Sequence, residues 1–354
     1  MTCQKIFVSY ITWLLKIIVT AFLILGFGHY TINFIEFNKI FGTVHRRPLP
    51  EYPNTILITP NYEQNEIAHL FKFTSKNAFF LYQKKMKQMD GDYYEVKTLN
   101  TGPVSYDKSQ DFPKQIDGTP TWEPDTYNEF NYWLPKSTYY VGFGTWIGVT
   151  LFYGTQLVKK AVGFEGDPTA YASVYTNLEG NSHRSWYNHT FIYPVAVRSG
   201  NEEREPKRMS MRSSGAGNSC SGMKEVRTRK DNACGNDMNK VSWDIDAYTL
   251  PYLLKVNGIP PSKQTFVKID VESYECELIP SWLDWLKNLS DKPTLFVSFH
   301  GKNVRCCSKA QYDKILAVSK LYKGVYHKLK KISPANIFRN STCTKNEVLV
   351  FTDL

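Results

Sequence analysis

The chain has 354 residues, 42% of them hydrophobic and 21% charged, with a formal net charge of +10. Such a length holds one large domain or a domain with extensions, and the apolar content excludes a mainly disordered chain. Many cations crowd into residues 204–240, among them Arg204, Lys207, Arg208, Arg212, Lys224, Arg227, Arg229 and Lys230. They read first as a solvated loop, with a patch for anionic partners as the alternative. No nucleic-acid motif accompanies them, so a nucleic-acid partner is not expected.

From Ile6 to Gly28 the only charge is Lys16. A signal anchor over about residues 6–28 or 17–35 is long enough for a bilayer. The alternatives are a cleaved signal peptide ending near Gly26 and Gly28, although an A-x-A site is lacking, and a buried soluble helix. Lys5 and Lys16 on one side balance Lys39, Arg46 and Arg47 on the other, so the positive-inside count leaves orientation open. Sequons at Asn188, Asn288 and Asn340 lean toward a lumenal body in the endoplasmic reticulum or Golgi. Without Cys3 the remaining cysteines are an even set: Cys220, Cys234, Cys276, Cys306, Cys307 and Cys343. Cys220–Cys234 and a pairing of Cys306 or Cys307 with Cys343 are the expected disulfides, with free thiols the alternative. None has zinc-site spacing, and no metal is expected.

Residues 1–35 thus read as an anchor, 36–121 as a stem, and 122–354 as the main domain. Within the stem, Thr55 to Thr59 reads as a strand and Glu66 to Met89 as helical. The pattern becomes regular after Trp122. A helix is expected over Asp125 to Leu134 and a buried strand at Tyr139 to Val141. A turn at Gly142, Gly144 and Gly148 follows, where backbone can approach a ligand closely. Residues 146–160 read as a helix, and the next strand ends near Glu165. That acid stands where a Rossmann-type unit puts the carboxylate that bonds a ribose hydroxyl pair. An adenosine-containing cofactor is the leading expectation.

Further strands are expected at Phe191 to Val197, at Val241 to Ile245 as an edge, at Thr265 to Ile269 and at Thr294 to Phe299. Helices are expected over Ala247 to Val256, over a segment carrying Leu278, Trp282, Leu283 and Trp285, and over Ala310 to Leu321. Gly324 to Leu329 and Glu347 to Phe351 make a terminal strand pair. Alternating strands and helices predict a doubly wound α/β sheet.

The turn after Val141, with Gly163, Glu165, Asp167 and Pro168 and the run Phe266-Val-Lys-Ile-Asp-Val-Glu-Ser-Tyr-Glu275, resembles the FkbM-like family of S-adenosylmethionine-dependent methyltransferases. The family pattern has a Val-Asp-x-Gly-x-x-x-Gly turn, a Gly-x-Glu-x-Asp-Pro strand end and a Lys-Ile-Asp-Val-Glu-Gly-Tyr-Glu junction. The likeness spans roughly residues 122–354 and includes the segment Trp122 to Tyr127. It implies a class I (Rossmann-like) fold, S-adenosylmethionine as cofactor, and a hydroxyl-bearing acceptor such as a glycan, lipid or small metabolite. It implies that Gly142, Phe143, Gly144, Thr145, Gly148, Glu165, Gly166 and Asp270 hold the cofactor. Asp270 would then orient the cofactor's amino group or the acceptor, with Glu272 as the base; carboxylates complementing a helix N-terminus are the alternative. Two positions depart: Gly142 replaces an acid that helps hold the methionine part of the cofactor, and Ser273 replaces a glycine. Gly142 therefore raises a cofactor-binding relative without turnover as an alternative.

His300, after the next strand, is a further candidate proton acceptor, with a structural role as the alternative. Lys268 reads as a strand residue rather than a catalytic amine. Asp244 and Asp246 also fit a Golgi glycosyltransferase that holds a metal and a nucleotide sugar, or simply a helix cap. The glycine turn fits a nicotinamide-dependent oxidoreductase as well.

Overall fold

The computed structural model describes residues 80–87, 93–100, 123–202, 206–213, 221–223, 241–272, 274–300, 307–334, 337 and 347–354. The expected anchor and the strand at residues 55–59 lie outside these. Strands β1 (Phe80–Lys87) and β2 (Tyr93–Asn100) form an antiparallel hairpin with Lys87 opposite Tyr93. This corrects the helix expected over residues 66–89 in the part that is described, residues 80–87. The sequence Asp90-Gly91 between two aromatic-rich runs is a strong hairpin signal, and it outweighs the helical spacing.

Helix α1 (Pro124–Trp133) starts with proline in its first turn, where a missing N–H costs nothing. Strand β3 (Tyr139–Phe143) leads through the glycine turn into α2 (Val149–Thr155). That helix is shorter than the expected 146–160. Gly148 caps it in a left-handed conformation (φ 95°), and Lys160 already belongs to β4 (Lys160–Phe164). Helix α3 (Pro168–Gly180), not assigned from sequence, follows.

The strand expected over Phe191 to Val197 divides into β5 (Thr190–Tyr193) and β6 (Ala196–Val197), which join different sheets. Pro194 lies between them and has no N–H for a ladder. Strands β7 (Lys207–Ser213), β8 (Gly222–Met223) and β9 (Val241–Tyr248) complete a small sheet in the order β6-β9-β7-β8. Part of the basic excursion is therefore strand, and β9 is interior rather than the expected edge.

Helix α4 (Leu250–Val256) begins after Thr249, later than expected, because the strand runs on to Tyr248. Strand β10 (Thr265–Ile269) falls where the sequence puts it. The amphipathic helix after it is two short ones, α5 (Glu275–Ser281) and α6 (Leu283–Lys287), with Pro280 and Trp282 at the break. Then come β11 (Thr294–Phe299), α7 (Lys309–Ser319), β12 (Gly324–His327), β13 (Lys330–Ile332) and β14 (Glu347–Thr352). Ser308 and Gln311 close a reciprocal cap on α7.

The main sheet has the order β13-β12-β14-β11-β10-β3-β4-β5. Strands β5, β4, β3, β10 and β11 are parallel, and β14 runs antiparallel between β11 and β12. The expected doubly wound sheet with a terminal antiparallel pair is present. Strand order reverses between β3 and β10, where open α/β sheets leave a crevice at their carboxyl ends.

Alternate residues of each strand face opposite layers. Tyr140, Phe266, Phe296 and Val350 pack with Phe130, Trp133 and Leu151 from the helices. The Phe130 ring meets Tyr140, Phe266 and Phe296 edge-on at 5.5, 5.6 and 5.5 Å. Val141, Phe143, Val267, Ile269 and Val297 face the other layer, with α4, α5 and the small sheet. Each fully buried side chain contributes about 1.5–3 kcal/mol, so both faces anchor the ends of β3 and β10.

Cys276 in α5 is bonded to Cys307 just before α7, with Cα atoms 5.3 Å apart. Of the expected pairings of Cys306 or Cys307 with Cys343, this overturns the one through Cys307. Helices α5 and α7 pack side by side, which brings two cysteines distant in sequence together. Cys220, Cys234, Cys306 and Cys343 lie outside the described residues. Among the described residues no helix is long and apolar enough to cross a membrane.

Candidate functional site

The crevice between β3 and β10 begins with their register: Gly142 pairs with Lys268, and Phe143 with Ile269. The chain turns away after Phe143, and Asp270 N donates to the Phe143 carbonyl at 3.2 Å. Gly144 (φ +72°) follows, and a Cβ there would lie 1.8 Å from the Asp270 carbonyl oxygen. Only glycine fits. Gly148 has the same constraint, since a Cβ would meet Phe152 at 2.5 Å and Val174 at 2.7 Å. Between them Trp146 holds a left-handed φ of 49°. The predicted glycine turn is therefore a close crossing of two strand ends.

Glu165 follows β4 and is 6% exposed. Its Oε2 accepts the Trp146 amide at 2.7 Å, and its Oε1 accepts the Asp167 amide at 2.8 Å. Burial raises its carboxyl pKa to about 8, against the hydrogen bonds that would lower it. The acid is thus tied to the glycine turn through the Trp146 amide. Asp167 has a local duty: it accepts the Ala170 amide at the start of α3 and the Ser221 hydroxyl at 2.7 Å.

Two of the expected cofactor residues are committed elsewhere. Gly166 packs against Met211, where a Cβ would meet the sulfur at 2.6 Å, and its carbonyl accepts Trp243 Nε1 at 2.8 Å. The small sheet covers that position, a relation the local sequence does not carry. Phe143 stacks on Phe164 at 5.2 Å and gives its carbonyl to Asp270. Thr145 differs, since its hydroxyl is buried and has no hydrogen-bond partner.

On the other side of the crevice Lys268, 3% exposed, reaches the Asp270 carboxylate at 2.5 Å. His300, after β11, joins them. Its Nε2 lies 3.3 Å from Asp270 and 3.5 Å from Glu272, and its Nδ1 lies 3.1 Å from Glu275. Glu275, 1% exposed, also accepts the Val271 amide at 3.0 Å. Desolvation would lower the imidazole pKa, but Glu272, Glu275 and Asp270 together raise it to about 10. Burial would raise the Asp270 pKa, yet Lys268 and His300 hold it below the usual carboxylate range.

The three carboxylates thus favour the imidazolium form of His300, which agrees with the structural alternative rather than with a proton acceptor. Glu272 has a left-handed φ of 48° and is 20% exposed. Asp270, Glu275 and His300 could together offer three ligand atoms to a cation. Lys268 and the imidazolium already supply positive charge there, so no metal reading follows.

Sequence reasoning missed three residues. Glu275 stands in the sequence only as a motif position, Lys268 only as a strand residue, and Glu123 carries no motif of its own. Glu123, left-handed before α1, has a raised pKa from burial and from Asp270, so it belongs to the same electrostatic cluster. Its adjacency to a proline-started helix is the one signal that marks it. Asp244 and Asp246 lie on β9, bonded to Ser210 at 2.5 Å and to Arg208 at 3.3 Å. They form a cross-strand ladder, with register Ser210–Asp244 and Arg208–Asp246.

No family model and no curated protein matches the chain. Solved structures similar to it include methyltransferase FkbM from Methylobacillus flagellatus at 13% identity and TM-score 0.35, covering 61% of this chain and 44% of that one. The O-methyltransferase from Bacillus cereus in complex with SAH matches at 8% identity and TM-score 0.34, covering 69% and 84%. The SAM-dependent methyltransferase from Agrobacterium tumefaciens matches at 6% identity and TM-score 0.37, covering 79% and 72%. This chain spans less than half of the Methylobacillus protein. Similarity at this level carries no chemistry. The strand order defines a doubly wound α/β protein, with the crossing at Gly144 at its switch point.

Proposed function

We propose that this chain is an S-adenosylmethionine-dependent methyltransferase acting on a hydroxyl-bearing glycan, lipid or small molecule. The observation that supports it best is the convergence of the Gly144 turn, the Glu165 carboxyl and the Asp270–His300 cluster at one sheet edge. The residues fit the cofactor: the side-chain-free Gly142 and Gly144 expose backbone at the strand end, and the buried Thr145 hydroxyl lacks a partner. Glu165 has acceptor capacity beyond its backbone bonds to meet ribose hydroxyls.

When bound, the cofactor supplies an electrophilic methyl group. The protein's task is positioning and proton removal. Asp270 is held in place by Lys268 and His300 and orients the bound groups. Glu272 is the proton acceptor in this reading, because His300 already holds its proton. The His300 ring fixes Asp270, Glu272 and Glu275 around itself and so sets their geometry.

Calorimetric titration with S-adenosylmethionine, NADPH and a nucleotide sugar with manganese tests this directly. Heat from the first alone supports the proposal, and silence from the first sinks it. Cofactor binding without transfer to any hydroxyl acceptor would favour the second reading, a non-catalytic relative, which Gly142 motivates. The anchor over residues 1–35 would tether this domain to a membrane of the endoplasmic reticulum or Golgi. Asn188 and Asn288 are exposed, so glycan on either from a secretory host supports a lumenal body. An unmodified product counts against it.

A further inference from the structure

Tyr140 and Gly142 are alternate residues on one face of β3. The Tyr140 ring is fully buried, with Phe130 at 5.5 Å and Phe266 at 6.0 Å. Gly154 of α2 lies so close that a Cβ there would meet the ring at 2.7 Å. Squeezed between helix and sheet, the ring runs along the strand toward the crevice. Its hydroxyl ends 3.3 Å from where a Gly142 Cβ would stand, with the Thr145 methyl 3.5 Å from the same point. The phenol thus lies beside the root of the side chain that Gly142 lacks.

Both hydroxyls there, Tyr140 Oη and Thr145 Oγ1, are buried without a hydrogen-bond partner. Thr150 is the polar side chain nearest in influence to the phenol. Native interiors leave few such groups unmet, and each one calls for an explanation. Lys268, the cross-strand neighbour of Gly142, is already engaged by Asp270.

We propose that the Tyr140 phenol and the Thr145 hydroxyl replace the absent acid, as positioning residues for the amino-acid end of S-adenosylmethionine. This rests on the cofactor reading above. A neutral hydroxyl can donate to a carboxylate and accept from an ammonium, so the pair serves either group of a zwitterion. Recognition by hydroxyls also avoids placing a new carboxylate beside the Lys268–Asp270 pair.

The test compares S-adenosylhomocysteine with methylthioadenosine, which lacks the amino-acid end, by calorimetry on the full chain. Tyr140→Phe should weaken the first about tenfold, roughly the yield of one hydrogen bond, and leave the second unchanged. Because the variant removes an unmet buried hydroxyl, it should also melt higher alone and gain less from ligand. Should the phenylalanine variant fail to fold, Thr145→Val carries the same comparison. Equal losses for both ligands, or no loss for either, overturns the proposal. If the unaltered chain binds methylthioadenosine but not S-adenosylhomocysteine, the Tyr140 role falls while an adenosine site survives. If it binds neither, the cofactor reading fails and this proposal with it.

Discussion

A Cβ on Gly144 would lie 1.8 Å from the Asp270 carbonyl oxygen, so the turn after β3 and the end of β10 touch main chain to main chain. The crevice depends on this contact, because it sets the spacing between the Glu165 side and the Asp270 side.

Gly144→Ala should therefore cost about 3 kcal/mol or more, combining a clash with backbone and a left-handed φ. Urea denaturation reads the loss. A variant as stable as the parent would show that the two strand ends separate freely.

Glu165 gives a stability slope with a definite sign. Its pKa rises from 4.5 to about 8 on folding. Below pH 4.5 both states hold the proton. Between 4.5 and 8 the unfolded chain releases it while the folded chain keeps it, so stability falls with rising pH and levels off above. Glu165→Gln should flatten that slope, while giving up one of the two backbone amides that the carboxyl accepts. Melting curves from pH 5 to 9 check it.

For cofactor affinity, Glu165→Ala should weaken S-adenosylmethionine binding by about 1–3 kcal/mol, through lost hydrogen bonds to ribose. Unchanged affinity would refute the ribose assignment.

His300 has the opposite origin and the same direction. Its pKa rises from 6.5 to about 10, so its contribution is complete below pH 6.5 and fades as pH climbs toward 10. His300→Gln leaves Asp270, Glu272 and Glu275 without their shared cation. A loss of about 3–5 kcal/mol is expected at pH 6, shrinking by pH 10. A gap independent of pH would mean that the ring acts by packing alone.

Breaking the Cys276–Cys307 bond should cost about 2–4 kcal/mol, the usual range for a loop of this size. Cys276→Ser in oxidising buffer should match the reduced parent in melting temperature. If reductant lowers the variant as much as the parent, another bond carries the effect.

Buried parallel strands were legible where hydrophobic runs are short and bounded. Thr265–Ile269 and Thr294–Phe299 fall at their expected residues. Reading failed where one local signal competed with another. Helical spacing over residues 66–89 yielded to the hairpin at Phe80–Asn100, and an apolar run across Pro194 hid a change of sheet. The site shows the same division. Gly144, Glu165 and Asp270 fall just beyond strand ends, where short buried runs stop. The charge state of His300 follows from no such run.

The sequence by itself determined which residues stand at the ends of the central strands and that the chain turns on glycine after β3. Hydrophobic periodicity and backbone conformation are local, so both can be read along the chain. Only the tertiary structure decided that His300 keeps its proton among three carboxylates, that Gly166 is covered by a second sheet, and that the Tyr140 phenol lies beside Gly142. Those relations depend on burial and on register between segments far apart in the chain, and the local pattern carries neither.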